Sequence, residues 1–143
     1  MNKLRIAQIA HLWESVPPSK YGAVEYLISL LCDHLVQKGH SVTLFASGDS
    51  KTKAFLEPIC DESLNKSQRI IEPEIYRMIQ FQKIRQCAEN FDIIHSHIHS
   101  NSGCLVYQYY LIVTQKCYIL YIFIAMKIIA NCLRCLQKKI LLL

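Results

Sequence analysis

The first fifty residues show three successive hydrophobic patterns. Residues 4–10 are apolar except at Arg5 and Gln8, which is typical of a strand buried on both faces of a parallel sheet. Residues 21–38 carry apolar side chains at helical spacing, and residues 41–46 alternate and include β-branched side chains. A strand, a helix and a strand with such short joints predict a βαβ unit with two parallel strands.

The helix over residues 21–38 is predicted to have one apolar and one polar face. Its apolar face consists of side chains that recur every three or four residues: Val24, Leu27, Ile28, Leu31, Leu35 and Val36. Glu25 and Asp33 are expected on the polar face. Gly39 stands where a left-handed cap is needed, so the helix is expected to end there.

The next fifty residues continue the α/β alternation. Residues 54–60 predict a short strand, and Pro58 restricts it to an edge of the sheet. Residues 72–90 predict a second helix, with an apolar face made of Ile75, Met78, Ile79, Ile84, Cys87 and Ala88. Residues 91–97 predict one more buried strand. The fold class is therefore α/β, with a partial Rossmann-like parallel sheet over residues 1–104.

Residues 105–143 depart from this organisation. They have neither a two-residue nor a 3.6-residue period, and they contain five basic residues and no acidic one. Residues 1–100 contain eleven basic and eleven acidic residues, so the net charge of +5 belongs to the tail. The α/β part carries no excess positive charge for a nucleic acid to recognise, and we expect no nucleic-acid partner.

The cysteine pattern and the N-terminus indicate a cytoplasmic protein. Seven cysteines at irregular spacings, with no secretory signal before them, argue against a disulfide framework. Residues 109–126 are almost long enough to cross a membrane, but Gln115 and Lys116 lie near their middle. A lysine at the centre of a membrane helix costs about 2.5–3.5 kcal/mol. Membrane contact through the tail stays an alternative, as a peripheral attachment.

Gly22 lies in a loop just ahead of the first helix, after Pro17 and Pro18. A glycine there lets backbone amides approach a phosphate, and the helix N-terminus adds partial positive charge. The segment has neither the three-glycine dinucleotide fingerprint nor the Walker lysine pattern. A phosphate-facing turn and an ordinary loop glycine therefore both stay open. Residues 47–50 likewise read as a polar turn or as a ligand contact after the second strand.

A group of histidines follows the last predicted strand. His95, His97 and His99 would share one face if the strand continued to residue 99, which is compatible with a metal site. The sequence around them supplies no carboxylate or further ligand motif. Two other interpretations stay open. One is a single histidine that contacts a substrate hydroxyl, and the other is a polar strand end without a ligand. Cys132 and Cys135 have metal-ligand spacing, but a lone pair is a weak signal.

Five segments together resemble a known family. Residues 4–10, 11–18, 21–25, 38–50 and 91–97 resemble, in order and spacing, the N-terminal domain of retaining glycosyltransferases of family 4. These are GT-B enzymes, in which two Rossmann-like domains face each other across a cleft. The first domain mainly holds the acceptor, and the second mainly holds the nucleoside-diphosphate sugar. The resemblance covers about residues 3–104.

The resemblance implies roles for four residues. Gly22 and Ala23 match the paired glycines of a loop that faces the donor diphosphate and the acceptor, with alanine in place of the second glycine. Glu25 matches the acidic residue that orients this loop. His97 matches the histidine beside the transferred sugar. The implied reaction is glycosyl transfer with retention, without a metal or other cofactor.

The tail limits what this resemblance implies. Its composition is that expected of an out-of-frame reading of an AT-rich gene, so the chain is interpreted as a truncated, frameshifted fragment that is inactive alone. A second interpretation is a membrane-tethered, non-catalytic module that binds a sugar or a protein partner. A third is another GT-B-shaped enzyme of sugar nucleotides, such as a 2-epimerase.

Overall fold

The computed structural model describes residues 2–67 and 72–98. These residues form a parallel sheet with helices on its faces. In chain order the elements are β1 (Arg5–Ile9), α1 (Ala23–Gln37), β2 (Ser41–Ala46), β3 (Phe55–Pro58), α2 (Pro73–Cys87), a 3-10 turn (Ala88–Asn90) and β4 (Ile93–Ser96). The predicted order of strands and helices is confirmed. The predicted tail, residues 105–143, lies outside the described residues.

The sheet has the strand order β3-β2-β1-β4, and every neighbouring pair is parallel. The register pairs Ala7 of β1 with Thr43 of β2 on one side and with Ile94 of β4 on the other. This order, with crossovers in both directions from β1, is Rossmann-like and confirms the α/β fold class. The predicted edge strand is also confirmed, since β3 pairs with β2 and ends at Pro58.

Two hydrophobic cores lie on the opposite faces of the sheet. Leu44 and Phe45, successive residues of β2, point into different cores because side chains alternate along a strand. The core beneath α1 contains Ala10, Val16, Ile28, Cys32, Val42, Leu44, Ala46 and Ala54. The core beneath α2 contains Ala7, Ile9, Phe45, Phe81, Ile84, Ala88, Ile94 and Ile98. This double coverage explains why β1 and β2 are almost continuously apolar.

Helix α1 ends as the sequence predicts. Gly39 has φ +88°, its amide donates to the Val36 carbonyl at 2.9 Å, and the His40 amide donates to the Leu35 carbonyl at 3.1 Å. This left-handed cap supplies donors to carbonyls that the helix leaves unpaired. The predicted faces of α1 need correction, because Leu27 is exposed and Glu25 is buried together with Ile28.

The apolar face predicted for α2 is wrong in its first half. Ile75, Met78 and Ile79 are 46%, 57% and 43% exposed, whereas Phe81 and Ile84 are buried. The buried side chains therefore lie on nearly the opposite side of the helix from Ile75, Met78 and Ile79. Gln80 belongs to this buried face.

Gln80 connects α2 to the two central strands. Its side-chain amide donates to the Ala10 carbonyl at 3.0 Å and to the Phe45 carbonyl at 3.2 Å. The side chain is 1% exposed, and a buried amide requires such partners. Gln80 therefore fixes the position of α2 against the carboxyl ends of β1 and β2.

The three cysteines in the described residues are free thiols: Cys32, Cys60 and Cys87. Burial, followed by the charge of Asp33, raises the pKa of Cys32 to about 12, so this thiol stays protonated at neutral pH. Each helix within residues 2–67 and 72–98 is too short or too polar to span a membrane.

Candidate functional site

The candidate site lies where β1 and β4 end side by side. The two strands are parallel neighbours, so their carboxyl ends meet at the same edge of the sheet, where doubly wound folds bind ligands. The His97 amide donates to the Ile9 carbonyl at 3.0 Å, which continues the pairing one residue beyond β4. This edge therefore brings His97 next to the loop that leaves β1 and leads to Gly22.

The loop after β1 is anchored to the turn after β2. The Val16 amide donates to Ser50 Oγ at 2.9 Å, and the Lys51 amide donates to the Val16 carbonyl at 2.7 Å. Val16 is fully buried, and the Val16–Pro17 peptide bond is cis. Polar side chains that are buried here, such as Ser50, explain how an irregular segment packs against the sheet.

The same loop is anchored a second time by the segment that follows β3. The Leu64 amide donates to the Leu12 carbonyl at 2.9 Å, and the Asn65 amide donates to the Trp13 carbonyl at 3.1 Å. Asn65 also hydrogen-bonds to the carboxylate of Glu14. Residues 12–16 are thus held from two sides.

The polar turn after β2 is engaged within the protein. Asp49 accepts bonds from the Ser63 amide and hydroxyl, both at 3.0 Å, and from Lys66 Nζ at 2.8 Å. Burial raises the pKa of Asp49, but hydrogen bonds from Lys66, Ser47 and Ser63 outweigh it and lower the pKa to about 2. These contacts favour the interpretation of residues 47–50 as a structural turn.

Gly22 caps the N-terminus of α1. Its φ is +148°, and its carbonyl accepts the first helical bond, from the Tyr26 amide, at 3.0 Å. A Cβ added to Gly22 would lie 2.7 Å from Glu25 Oε2 and 3.0 Å from Pro18 Cβ. Glycine is therefore required both by the backbone and by the close packing of the loop. Ala23 is the first residue of α1 and is exposed.

Glu25 is 9% exposed, and its carboxylate turns back toward Gly22. The prediction that it lies on the polar face of the helix is wrong, because positions 25, 28 and 32 form the buried stripe of α1. A carboxylate in the first turn of a helix is stabilised by the positive end of the helix dipole. The structure thus brings Gly22 and Glu25 together at one end of α1.

Replacing Gly22 with alanine is expected to lower the free energy of unfolding by about 1–3 kcal/mol, because the new Cβ meets both Pro18 and Glu25. Gly39→Ala is the matched control: Gly39 also has a positive φ, but a Cβ there meets no atom within 4 Å. Urea unfolding followed by circular dichroism measures both. Equal losses in the two variants would show that the Gly22 loop yields without cost.

His97 and His95 lie on the same face of β4. Their ring centroids are 4.1 Å apart, with 39° between the ring planes. His97 Nε2 lies 2.8 Å from Gln8 Oε1, while His95 Nε2 has no hydrogen-bond partner in the part of the chain that the structure describes. Both histidines are buried, at 8% and 6% exposure.

Burial decides the charge of this pair. It lowers the pKa of His95 to about 4. Burial, followed by the charges of His95 and His11, lowers the pKa of His97 to about 3. Both imidazoles are therefore neutral at pH 7 and can accept a hydrogen bond through an unprotonated nitrogen.

The three histidines predicted as a possible metal face are only partly described, since His99 lies outside the described residues. Among residues 2–67 and 72–98, no group of three His, Cys, Asp or Glu side chains is arranged to hold a metal ion. Cys132 and Cys135 also lie outside the described residues.

Among the cavities lined by described residues, two lie close to the anchored loop. One, of about 60 Å³, is bounded by Leu12, Trp13, Arg77 and Gln80. The other, of about 780 Å³, lies between the segment after β3 and the start of α2. Its lining includes Asp61, Glu62, Lys66 and Tyr76, and none of the predicted site residues.

The sequence did not identify Gln8 as part of the site. The sequence nevertheless contains an indication of its role, because a single polar residue in an otherwise apolar buried strand needs a hydrogen-bond partner. The partner could not be named from the sequence, since it depends on which strand lies beside β1. The same holds for Gln80, which occupies the buried face of α2.

Comparisons with known proteins give distant likenesses to solved structures. No protein-family model matches the chain, and no curated protein matches it. Among solved structures, the chain is similar to AviGT4, a glycosyltransferase involved in Avilamycin A biosynthesis, with a TM-score of 0.42 and 20% sequence identity. The likeness covers 68% of this chain and 28% of that one. The chain thus spans less than a third of this neighbour, and a likeness of this size assigns no function.

Proposed function

We propose that the α/β domain binds the glycosyl acceptor of a retaining glycosyltransferase of family 4. The binding region would lie between the loop after β1 and the end of β4. The observation that carries the proposal is a buried, neutral histidine, His97, at the carboxyl edge of the sheet. A strongly shifted pKa at a ligand-binding edge is a sign of a functional residue.

The motif resemblance supports the same proposal. It assigns His97 to the region beside the transferred sugar and assigns the turn at Gly22 to the donor diphosphate and the acceptor. A neutral imidazole suits a sugar hydroxyl, because it accepts a hydrogen bond without attracting a counter-ion. The tight turn at Gly22 lies at the N-terminus of α1, where backbone amides and the helix dipole favour an anionic ligand.

The complete reaction would transfer a glycosyl group from a nucleoside-diphosphate sugar to the acceptor with retention. In the family, the donor is held mainly by a second domain. We therefore expect the described α/β domain to bind an acceptor-like sugar. The proposal requires no metal and no other cofactor.

Titration of the 143-residue chain tests the proposal. Methyl glycosides of common hexoses and, separately, UDP and GDP are added while the histidine ring signals are followed by NMR. A methyl glycoside is expected to shift the His97 ring signals, and His97→Ala is expected to weaken its binding about fivefold, the equivalent of one hydrogen bond of about 1 kcal/mol.

The control variant is His34→Ala, since His34 is exposed on α1. It should leave glycoside binding unchanged. The proposal fails if no glycoside shifts the His97 signals, or if the nucleotides shift them and the glycosides do not.

A further inference from the structure

Gln8 is a polar side chain enclosed in the centre of the sheet. It lies in β1, opposite Leu44 of β2 and His95 of β4, and is 1% exposed. Placing an amide there has a free-energy cost unless it is hydrogen-bonded. Its Oε1 atom lies 2.8 Å from His97 Nε2, and both side chains are buried. The amide of Gln8 is therefore committed to the ring of His97.

This contact determines which ring nitrogen of His97 carries the proton. An amide oxygen can only accept a hydrogen bond, so Nε2 must be the donor. A neutral imidazole has a single N–H group, which leaves Nδ1 with a lone pair. The ring is neutral at pH 7 because burial, and then the neighbouring His95 and His11, lower its pKa to about 3.

Gln8 engages His97 through Nε2, so the other ring nitrogen, Nδ1, is left out of this contact. Within the described residues, the enclosed side-chain atoms that lack a partner are Gln80 Oε1 and His95 Nε2. His97 Nδ1 is not one of them, and no hydrogen bond joins it to another described residue. Its lone pair is therefore the acceptor that the ring retains, while the opposite nitrogen is fixed inside the protein by Gln8.

We propose that Gln8 is a positioning residue, which holds His97 as the Nε2–H tautomer so that Nδ1 accepts a hydrogen bond from a ligand hydroxyl. This role rests on the proposed function for its ligand, but the tautomer itself does not. This tautomer would make the site selective, because a ligand must place a hydrogen-bond donor opposite Nδ1. A ligand hydroxyl can donate a hydrogen bond to Nδ1. An ether oxygen or an ionised phosphate oxygen has no proton to donate, so its lone pairs face the lone pair of Nδ1 and binding is disfavoured.

The tautomer is measured directly on the full chain with ¹⁵N-labelled histidine. Long-range ¹H–¹⁵N correlation at pH 7.5 should show His97 with a protonated Nε2 and an unprotonated Nδ1. Gln8→Leu, which keeps the approximate volume, should give a mixture of the two tautomers. Gln8→Glu, whose carboxylate also accepts, should retain the Nε2–H form and raise the pKa of His97.

Gln82→Leu is the matched control, because Gln82 is exposed on α2. It should leave the His97 tautomer unchanged. The inference is overturned if the unmodified chain shows the Nδ1–H form, or if folded Gln8→Leu retains pure Nε2–H. Circular dichroism shows whether Gln8→Leu is folded, and the unmodified chain together with Gln8→Glu decides the question if it is not.

A methyl glycoside titration separates this inference from the proposed function. If the Nε2–H tautomer is found but no glycoside changes the ¹⁵N chemical shift of Nδ1, the proposed function fails. The inference that Gln8 sets the tautomer of His97 then still holds. If a glycoside binds, its 2-, 3-, 4- and 6-deoxy analogues identify the hydroxyl that donates a hydrogen bond to Nδ1. One analogue should then bind about fivefold more weakly than the parent, and equal binding of all would remove the hydroxyl contact.

Discussion

Lowering the pH from 7 to 5 is expected to reduce the free energy of unfolding by about 4 kcal/mol. In the folded chain, the pKa of His95 is about 4 and that of His97 about 3, whereas an unfolded histidine titrates near 6.5. Between these values the unfolded chain binds two more protons than the folded chain. The stability that the two neutral histidines contribute is therefore fully present above pH 6.5, and it is lost as the pH falls toward 4.

Chemical denaturation at pH 7, 6 and 5 measures this loss. His97→Gln is expected to remove about half of the pH dependence, since each histidine contributes about 2 kcal/mol at pH 5. His34→Gln, at an exposed position of α1, should leave the dependence unchanged. Asp49 does not contribute in this window, because its pKa of about 2 affects stability only below about pH 4. An equally steep loss in His97→Gln would show that His97 is not a source of the pH dependence.

Replacing Phe45 with alanine is expected to cost about 3–5 kcal/mol of folding free energy. Phe45 is 1% exposed in the core beneath α2 and meets Phe91 edge-to-face, with ring centroids 5.9 Å apart. Its removal loses the transfer free energy of a large side chain, leaves a cavity and ends the aromatic contact. Urea midpoints measured for the variant and the unmodified chain give the difference.

Phe55→Ala makes the same chemical change at a position that is 68% exposed, and it should cost less than about 1 kcal/mol. Phe45→Leu provides an intermediate case if the alanine variant does not fold, because it leaves a smaller cavity. Similar losses at positions 45 and 55 would contradict the core assignment of Phe45.

The alternation of strands and helices was predictable because it depends on short-range patterns. The apolar run at residues 4–10 and the cap at Gly39 each report their local surroundings, and both predictions are confirmed. The face of a helix is harder to predict when polar residues are buried. Glu25 and Gln80 face the sheet because they meet Gly22 and the carbonyls of Ala10 and Phe45, which hydropathy does not encode.

The candidate site was only partly predictable for a related reason. His97 could be placed at the end of a strand from its own neighbours in the sequence. Its hydrogen-bond partner could not, because the contact with Gln8 depends on the strand order of the sheet. The burial that makes both histidines neutral is also a property of the assembled domain.

The position of β4 beside β1 has a consequence for folding kinetics. Gln8 and His97 are 89 residues apart in the sequence, whereas Leu4 and His40, which connect the β1 and β2 sides of the βαβ unit, are 36 apart. Pairing of β4 with β1 closes a larger loop and has a higher contact order than pairing of β2 with β1. We therefore expect the βαβ unit to form before β4 is added, and hydrogen exchange to protect β2 earlier than β4. The neutral imidazole of His97 would then report the last step of folding, since its surroundings exist only after β4 has paired.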